Sequence, residues 1–423
     1  MLKNSFLRNI FVMMGGSSFG SIFSLMIVPI ISRIFDSSQY GQAALLLALA
    51  NLGGNIAAFR YDKALILPKD QTTAIHLFNA AVVCIAAVVA FICLLLLFNM
   101  FFLFLPYNDS LGFWLYFVPL GILLVACNFL FDSWLIREKR YKKIALSQSA
   151  DPVGVGLTRL SLGLSLGSST WALNLGLLVG ALLKMAVMLS ACWRGVIDAV
   201  KGFDAAEIKK IMKSYKDFPI FSTPAGLANR LSNDLPVFVL GALFSPAIVG
   251  FYAIAMRILN APVNVCSNSI RKVYNQRVAA QRNEGAPLLG AYLKVLALCI
   301  GLGVVPLGVL YVYGSDIVVI FLGEKWAEAG VYTEIIIPWL FTIWLTVPTS
   351  VVFEVLRRQR IWLVIQLFQL LLRSGVLYWS ATQQLSATEM LQNFVLACVA
   401  GGILVLGLGA VFCSINDKRL APR

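Results

Sequence analysis

The chain has 423 residues, 59% of them hydrophobic and only 13% charged, with a formal net charge of +14. A soluble domain carries about 25% charged residues, so this composition excludes one and identifies a polytopic membrane protein. The positive charge does not call for a nucleic-acid partner, because basic residues retained in inner loops during membrane insertion account for it.

Lys3 and Arg8 precede an apolar run from Ile10 to Ile34. That run is too long for the core of a signal peptide and lacks a convincing cleavage site, so it reads as a retained first span. About 20 residues cross a bilayer. On that rule the spans fall near 10–34, 41–59, 76–104, 112–135, 147–166, 171–193, 218–243, 248–269, 288–313, 331–353, 361–381 and 391–413, an all-α integral membrane chain of twelve helices. A cytoplasmic N-terminus puts four basic clusters on the inner side: Arg137 to Lys143, Arg194 to Lys216, Arg271 to Lys294, and Arg357, Arg358 and Arg360. Only Arg33 and Lys325 fall outside, and this asymmetry predicts that both termini are cytoplasmic. The outward connections at Asn108 to Leu111, Gly167 to Thr170 and Ser245 to Ala247 are barely turns; the longest, Gly314 to Gly330, is modest.

Shifting the chain by 209 residues superimposes Phe35 on Phe244, Gly41 on Gly250, Asn51 on Asn260, Asn55 on Asn264 and Lys63 on Lys272. Five matches under one offset predict a duplicated six-helix unit, the copies related by an axis along the membrane normal. The expected organisation is a lobe over 1–193, a linker over 194–217 and a second lobe over 218–423. In the linker, Asp204 and Glu207 have capping-box spacing ahead of Ile208, Ile211, Met212 and Tyr215, which predicts an amphipathic helix on the inner surface.

Five cations, Arg159, Lys184, Arg230, Arg257 and Arg373, lie inside predicted spans. Each costs roughly 3 kcal/mol at the bilayer centre unless it meets water, a partner or an anion. Acids within the spans are fewer, Asp132 and Asp234 being the clearest, so pairing alone is not expected to absorb the positive charge. The eighth span carries Arg257, Asn260, Asn264 and Asn268 on one helical face. In the seventh, Asn229, Arg230, Asn233 and Asp234 are bracketed by Pro219, Pro224 and Pro236, which predict kinks or a broken helix. The second has Asn51, Asn55, Arg60 and Asp62, and the eleventh Trp362, Gln366, Gln369 and Arg373. Such amides also serve simply to tie helices together. As a cavity lining, guanidinium forks suit phosphate and amides suit sugar hydroxyls. A diphosphate bearing a glycan and a lipid tail satisfies both.

The other motifs are weak. The eight cysteines form no CxxC pair and read as packing residues. Gly16 with Gly20, Gly163 with Gly167 and Gly176 with Gly180 have the spacing of close helix packing. There is no phosphate-loop signature, no clustered metal ligand and no catalytic set, so neither an enzyme nor a cofactor is expected.

The runs Tyr40-Gly41 to Arg60-Tyr61-Asp62-Lys63-Ala64, and Asn233-Asp234-Leu235-Pro236 to Gly250-Phe251-Tyr252-Ala253, resemble the Wzx-type polysaccharide repeat-unit flippases. These belong to the multidrug/oligosaccharidyl-lipid/polysaccharide (MOP) exporter superfamily. The resemblance implies a MATE-like fold of two six-helix lobes in a bacterial inner membrane. It also implies alternating access that carries an undecaprenyl-diphosphate-linked oligosaccharide to the periplasmic leaflet for O-antigen or other surface polysaccharide. A cationic cavity is part of that expectation, with Arg230 and Arg257 foremost, Arg60 next, and Arg373, Arg159 and Lys184 contributing. Coupling to H+ or Na+ and association with a polysaccharide polymerase and a chain-length regulator are further expectations. Drug exporters of the superfamily often use acids in the first lobe for cation coupling, whereas the first span here has none until Asp36 at its outer end, and the peptidoglycan-precursor flippases usually have two extra helices. A multidrug antiporter and a membrane polymerase or ligase are the competing readings.

Overall fold

The computed structural model describes residues 19–68, 70–102, 111–356 and 358–420. Among these are twelve long helices: α1 (Phe19–Ile34), α2 (Ser37–Ile56), α3 (Gln71–Phe102), α4 (Val118–Arg137), α5 (Tyr141–Leu166), α6 (Thr170–Lys201), α7 (Thr223–Leu243), α8 (Pro246–Asn283), α9 (Leu289–Leu322), α10 (Ala327–Val355), α11 (Gln359–Thr382) and α12 (Ala387–Leu420). They coincide with the predicted spans; the first nine residues of the first span, and Gly16, lie outside the described residues. Seven helical segments are long and apolar enough by themselves to cross a membrane: α3, α4 with the turn before it, α6, α9, α10, α11 and α12. The remainder, α1, α2, α5, α7 and α8, are shorter or more polar, and Asn51, Asn55, Arg159, Arg230 and Arg257 are all on α2, α5, α7 or α8. Helices this polar cannot be ringed by lipid, so their polar faces must be turned toward protein or water.

The helices form two compact units, residues 1–250 and 251–423. In the first, α5 packs along α6 and α4 against α2 and α6. Gly154 on α5 meets Gly180 on α6, and Gly176 accommodates the stem of Arg159, so the Gly176 and Gly180 pair does bring two helices together. Gly163 packs on Ile34 and Phe35, whereas Gly167 has φ +76° and open space around it. It ends α5 in an extended positive-φ conformation that glycine alone adopts readily, and is not a packing residue, a correction to its expected role. α7 lies against α2 in the same unit.

The linker helix forms over Ala205–Ser214, capped by Asp204, whose Oδ1 accepts the Ala206 and Glu207 N–H groups at 2.8 and 3.3 Å. Its buried Ile208 and Ile211 turn inward, and the helix packs on α3. Two arginines of the basic cluster after α4 are structural. Arg137 donates to the carbonyls of Leu65, Pro68 and Asp70, and Arg140 to that of Ala191 at 2.8 Å.

In the second unit α10 packs against α9 and α12, and α11 against α12. Tyr274, Val278, Leu288, Tyr292, Val351, Val352 and Cys413 form a core in which the Tyr292 hydroxyl reaches Thr349 Oγ1 at 2.9 Å. Asp417, near the end of α12, accepts the N–H groups of Leu288 and Leu289 at 2.7 and 2.9 Å and so caps α9 from a distant part of the chain. Asp417→Ala is expected to cost about 1–2 kcal/mol, the value of a lost N-cap, measured as a lower melting temperature of the purified protein.

The expected loop over Gly314 to Gly330 is instead helical: α9 continues to Leu322, and only Gly323, at φ +99°, and a short turn over Glu324–Trp326 separate it from α10. The break falls inside α9, where Tyr313 has non-helical φ/ψ of −117° and 15°. The N–H of Ser315 just beyond it is accepted by Glu334 of α10 at 2.7 Å.

Candidate functional site

α2 ends at Ile56, and Phe59 and Arg60 follow with φ +46° and +61°, consecutive non-glycine residues in the left-handed region. Each such residue costs on the order of 1 kcal/mol or more and persists only where its surroundings enforce it, as at ligand clamps. The surroundings are visible. Arg60 donates from a terminal nitrogen to Asn55 Oδ1 at 2.7 Å, and its guanidinium lies against Gly226 of α7, where a Cβ would collide with it. Tyr61, buried in the short helix Tyr61–Ala64, donates its hydroxyl to the Met212 carbonyl of the linker helix at 3.2 Å. The chain is thus pinned on both sides of Arg60.

Gly226, Arg230, Asp234 and Gly241 fall within an arc of about 80° on α7, and this arc faces α2, since Gly241 packs on Leu45. Arg230 pairs with Asp234 at 2.6 Å, the two side chains 36% and 15% exposed. Asn51, Asn55 and Asn233 are half-buried, and Asn229 is exposed. The expected irregularity is found at Pro219, in a wide turn over Phe218–Ser222 that leads into α7, and not at Pro236, through which the helix continues.

The other cations are placed differently. Arg159 is buried between α5 and α6, donates to the Leu173 carbonyl at 3.2 Å and lies 6.0 Å from the Tyr40 ring centroid. Lys184 pairs with Asp132 at 4.0 Å. In the second unit, Arg257 and Asn260 are half-buried on α8, while Arg373 is buried with its guanidinium 5.7 Å from the Trp339 ring centroid. Gln366 and Gln369 are buried on α11, and Gln369 lies beside Gly401 of α12, as interhelical amides do. The side chains of Asn264 and Asn268 lie outside the described residues. Arg159, Lys184, Arg230 and Arg373 thus each meet a carboxylate, a main-chain carbonyl or an aromatic face, so the surplus of positive charge does not of itself require an anion.

The arrangement drawn together within the first unit is Asn55, Arg60, Gly226, Arg230 and Asp234. Sequence reasoning reached the charged and amide members but not Gly226, whose only signal was a glycine one turn before a membrane arginine.

The twelve-helix plan, with its polar helices carrying arginine and amides, is that of an all-α, multi-pass membrane protein. Similar solved structures are "Lipid II flippase MurJ, inward closed conformation" (TM-score 0.72, 12% identity, 97% of this chain and 91% of that one) and an inward-facing multidrug resistance MATE family transporter (0.65, 14%, 96% and 95%). An outward-facing MATE structure also matches (0.61, 13%, 99% and 96%). At these identities the likeness is one of fold. No curated protein matches the chain by sequence. A family model described as "Polysaccharide biosynthesis protein" matches residues 30–330, and the chain belongs to that family.

Proposed function

We propose that this protein is a Wzx-type flippase that moves an undecaprenyl-diphosphate-linked oligosaccharide from the cytoplasmic to the periplasmic leaflet of a bacterial inner membrane, supplying O-antigen or related surface polysaccharide. The observation that carries the reading is Arg60, held in a left-handed conformation against α7 in a chain of the polysaccharide biosynthesis family. About 20 helical residues span some 30 Å, so a 20-residue α2 that crosses the bilayer would bring Arg60, just beyond its end, to the depth of lipid phosphates. Its guanidinium offers a diphosphate paired hydrogen bonds there, while the tail remains in lipid and neighbouring amides meet the sugars.

A diphosphate carries about two negative charges, and each gains about 2.3 kcal/mol per 100 mV on moving outward across an inside-negative membrane. The field can thus drive export, with H+ or Na+ coupling as an additional source. A polysaccharide polymerase and a chain-length regulator are the partners that would consume the product.

Correctly inserted Arg60→Ala and Arg230→Ala variants, tested in a deletion strain, are expected to reduce surface glycan at least tenfold and to accumulate lipid-linked repeat units inside. Normal surface glycan in both would overturn the site assignment. Drug hypersensitivity on deletion, with surface glycan intact, would point to a multidrug antiporter, and chain extension by the purified protein to a polymerase.

A further inference from the structure

Resting on that reading, we propose that Asp234 is a resident stand-in for the substrate's phosphate: it holds Arg230 until a diphosphate bridges Arg230 and Arg60, and the notch at Gly226 is what keeps Arg60 in position to receive it. Asp234 pairs with Arg230 one helical turn away at 2.6 Å, but Arg230 remains 36% exposed. A guanidinium has five N–H donors, so one carboxylate does not exhaust it. Arg60 is steered to the same face of α7 by Asn55 and by the missing side chain of Gly226, one turn before Arg230. Two guanidinium groups and one carboxylate leave this strip one positive charge in excess, whereas a diphosphate with about two charges matches both arginines once Asp234 gives way. Asp234 would then act on affinity and release, sparing Arg230 from a bare charge between transport cycles. Gly226 is a positioning residue, acting only through Arg60.

The test uses the full-length protein, purified in nanodiscs, with inorganic pyrophosphate as the probe and calorimetry as the readout. Asp234→Asn and Asp234→Ala, which remove the competing charge, are expected to bind pyrophosphate about tenfold more tightly than wild type, a change of about 1.4 kcal/mol. Gly226→Ala is expected to weaken binding about as much as Arg60→Ala, by roughly tenfold on the same scale. A purely structural role for Asp234 predicts unchanged or weaker binding in both variants, and that result overturns the proposal. So does a Gly226→Ala protein that binds like wild type. Wild-type protein that binds no pyrophosphate overturns this inference and leaves the flippase reading standing; that reading falls instead if a deletion strain keeps normal surface glycan. Wild-type binding that responds to Arg60→Ala but not to either Asp234 variant removes only this inference. Melting curves on each variant separate misfolding from altered affinity, and the two Asp234 substitutions guard against failure of either one.

Discussion

Gly41→Ala and Gly250→Ala will each lower the stability of the protein by about 3 kcal/mol or more, the upper range for forcing atoms into a packed site. A Cβ at Gly41 would run into the carbonyl oxygen of Pro246, and a Cβ at Gly250 into that of Ser37. Both obstacles are main-chain atoms, which cannot swing aside as a side-chain tip can. The contact is reciprocal: Ser37 and Pro246, like Gly41 and Gly250, are 209 residues apart. The starts of α2 and α8 therefore cross with their backbones touching, each helix filling the gap left by the other's glycine. Because both substitutions strain one crossing, the double variant should fall short of the sum of the singles. Gly301→Ala on α9, where the space is open, is the control and should be neutral or slightly stabilising. Thermal melting in detergent and the yield of inserted protein measure all four. Near-wild-type melting of Gly41→Ala would show that α2 and α8 do not meet there.

Glu334→Ala is expected to cost about 2–3 kcal/mol, while Glu334→Gln, which keeps an acceptor, should cost no more than about half as much. The reason is the break at Tyr313. An interruption inside a membrane helix frees main-chain groups that have no water to satisfy them, and the Glu334 carboxylate takes up the N–H of Ser315 at 2.7 Å. Gly314 packs directly against the Glu334 side chain, so the capping group and the break are fitted to each other. Equal melting temperatures for the Ala and Gln variants would mean that the cap contributes little.

The sequence showed the number of long helices, because runs of about 20 apolar residues are a demand of the bilayer that needs no tertiary knowledge. It located the linker helix through Asp204 and the Ile208–Ile211 stripe, since capping and amphipathicity are local properties. It located one irregularity and missed two. Pro219 lies in the wide turn over Phe218–Ser222, whereas the left-handed residues Phe59 and Arg60 and the break at Tyr313 have no proline to announce them. These conformations are imposed by contacts from elsewhere, Gly226, Asn55 and Glu334, that no local window contains.

The cations give the same lesson. Composition could say that arginines in spans must be satisfied, but Arg159 against a carbonyl and Tyr40, or Arg373 over Trp339, are partnerships between helices distant in sequence. The sequence by itself determined a multi-pass α-helical membrane protein, because hydropathy is written along one dimension. Only the tertiary structure decided which arginines are packed away and which, like Arg60 and Arg230, come to share one face of α7. That choice depends on which side chains the folded helices bring within a few ångströms of one another.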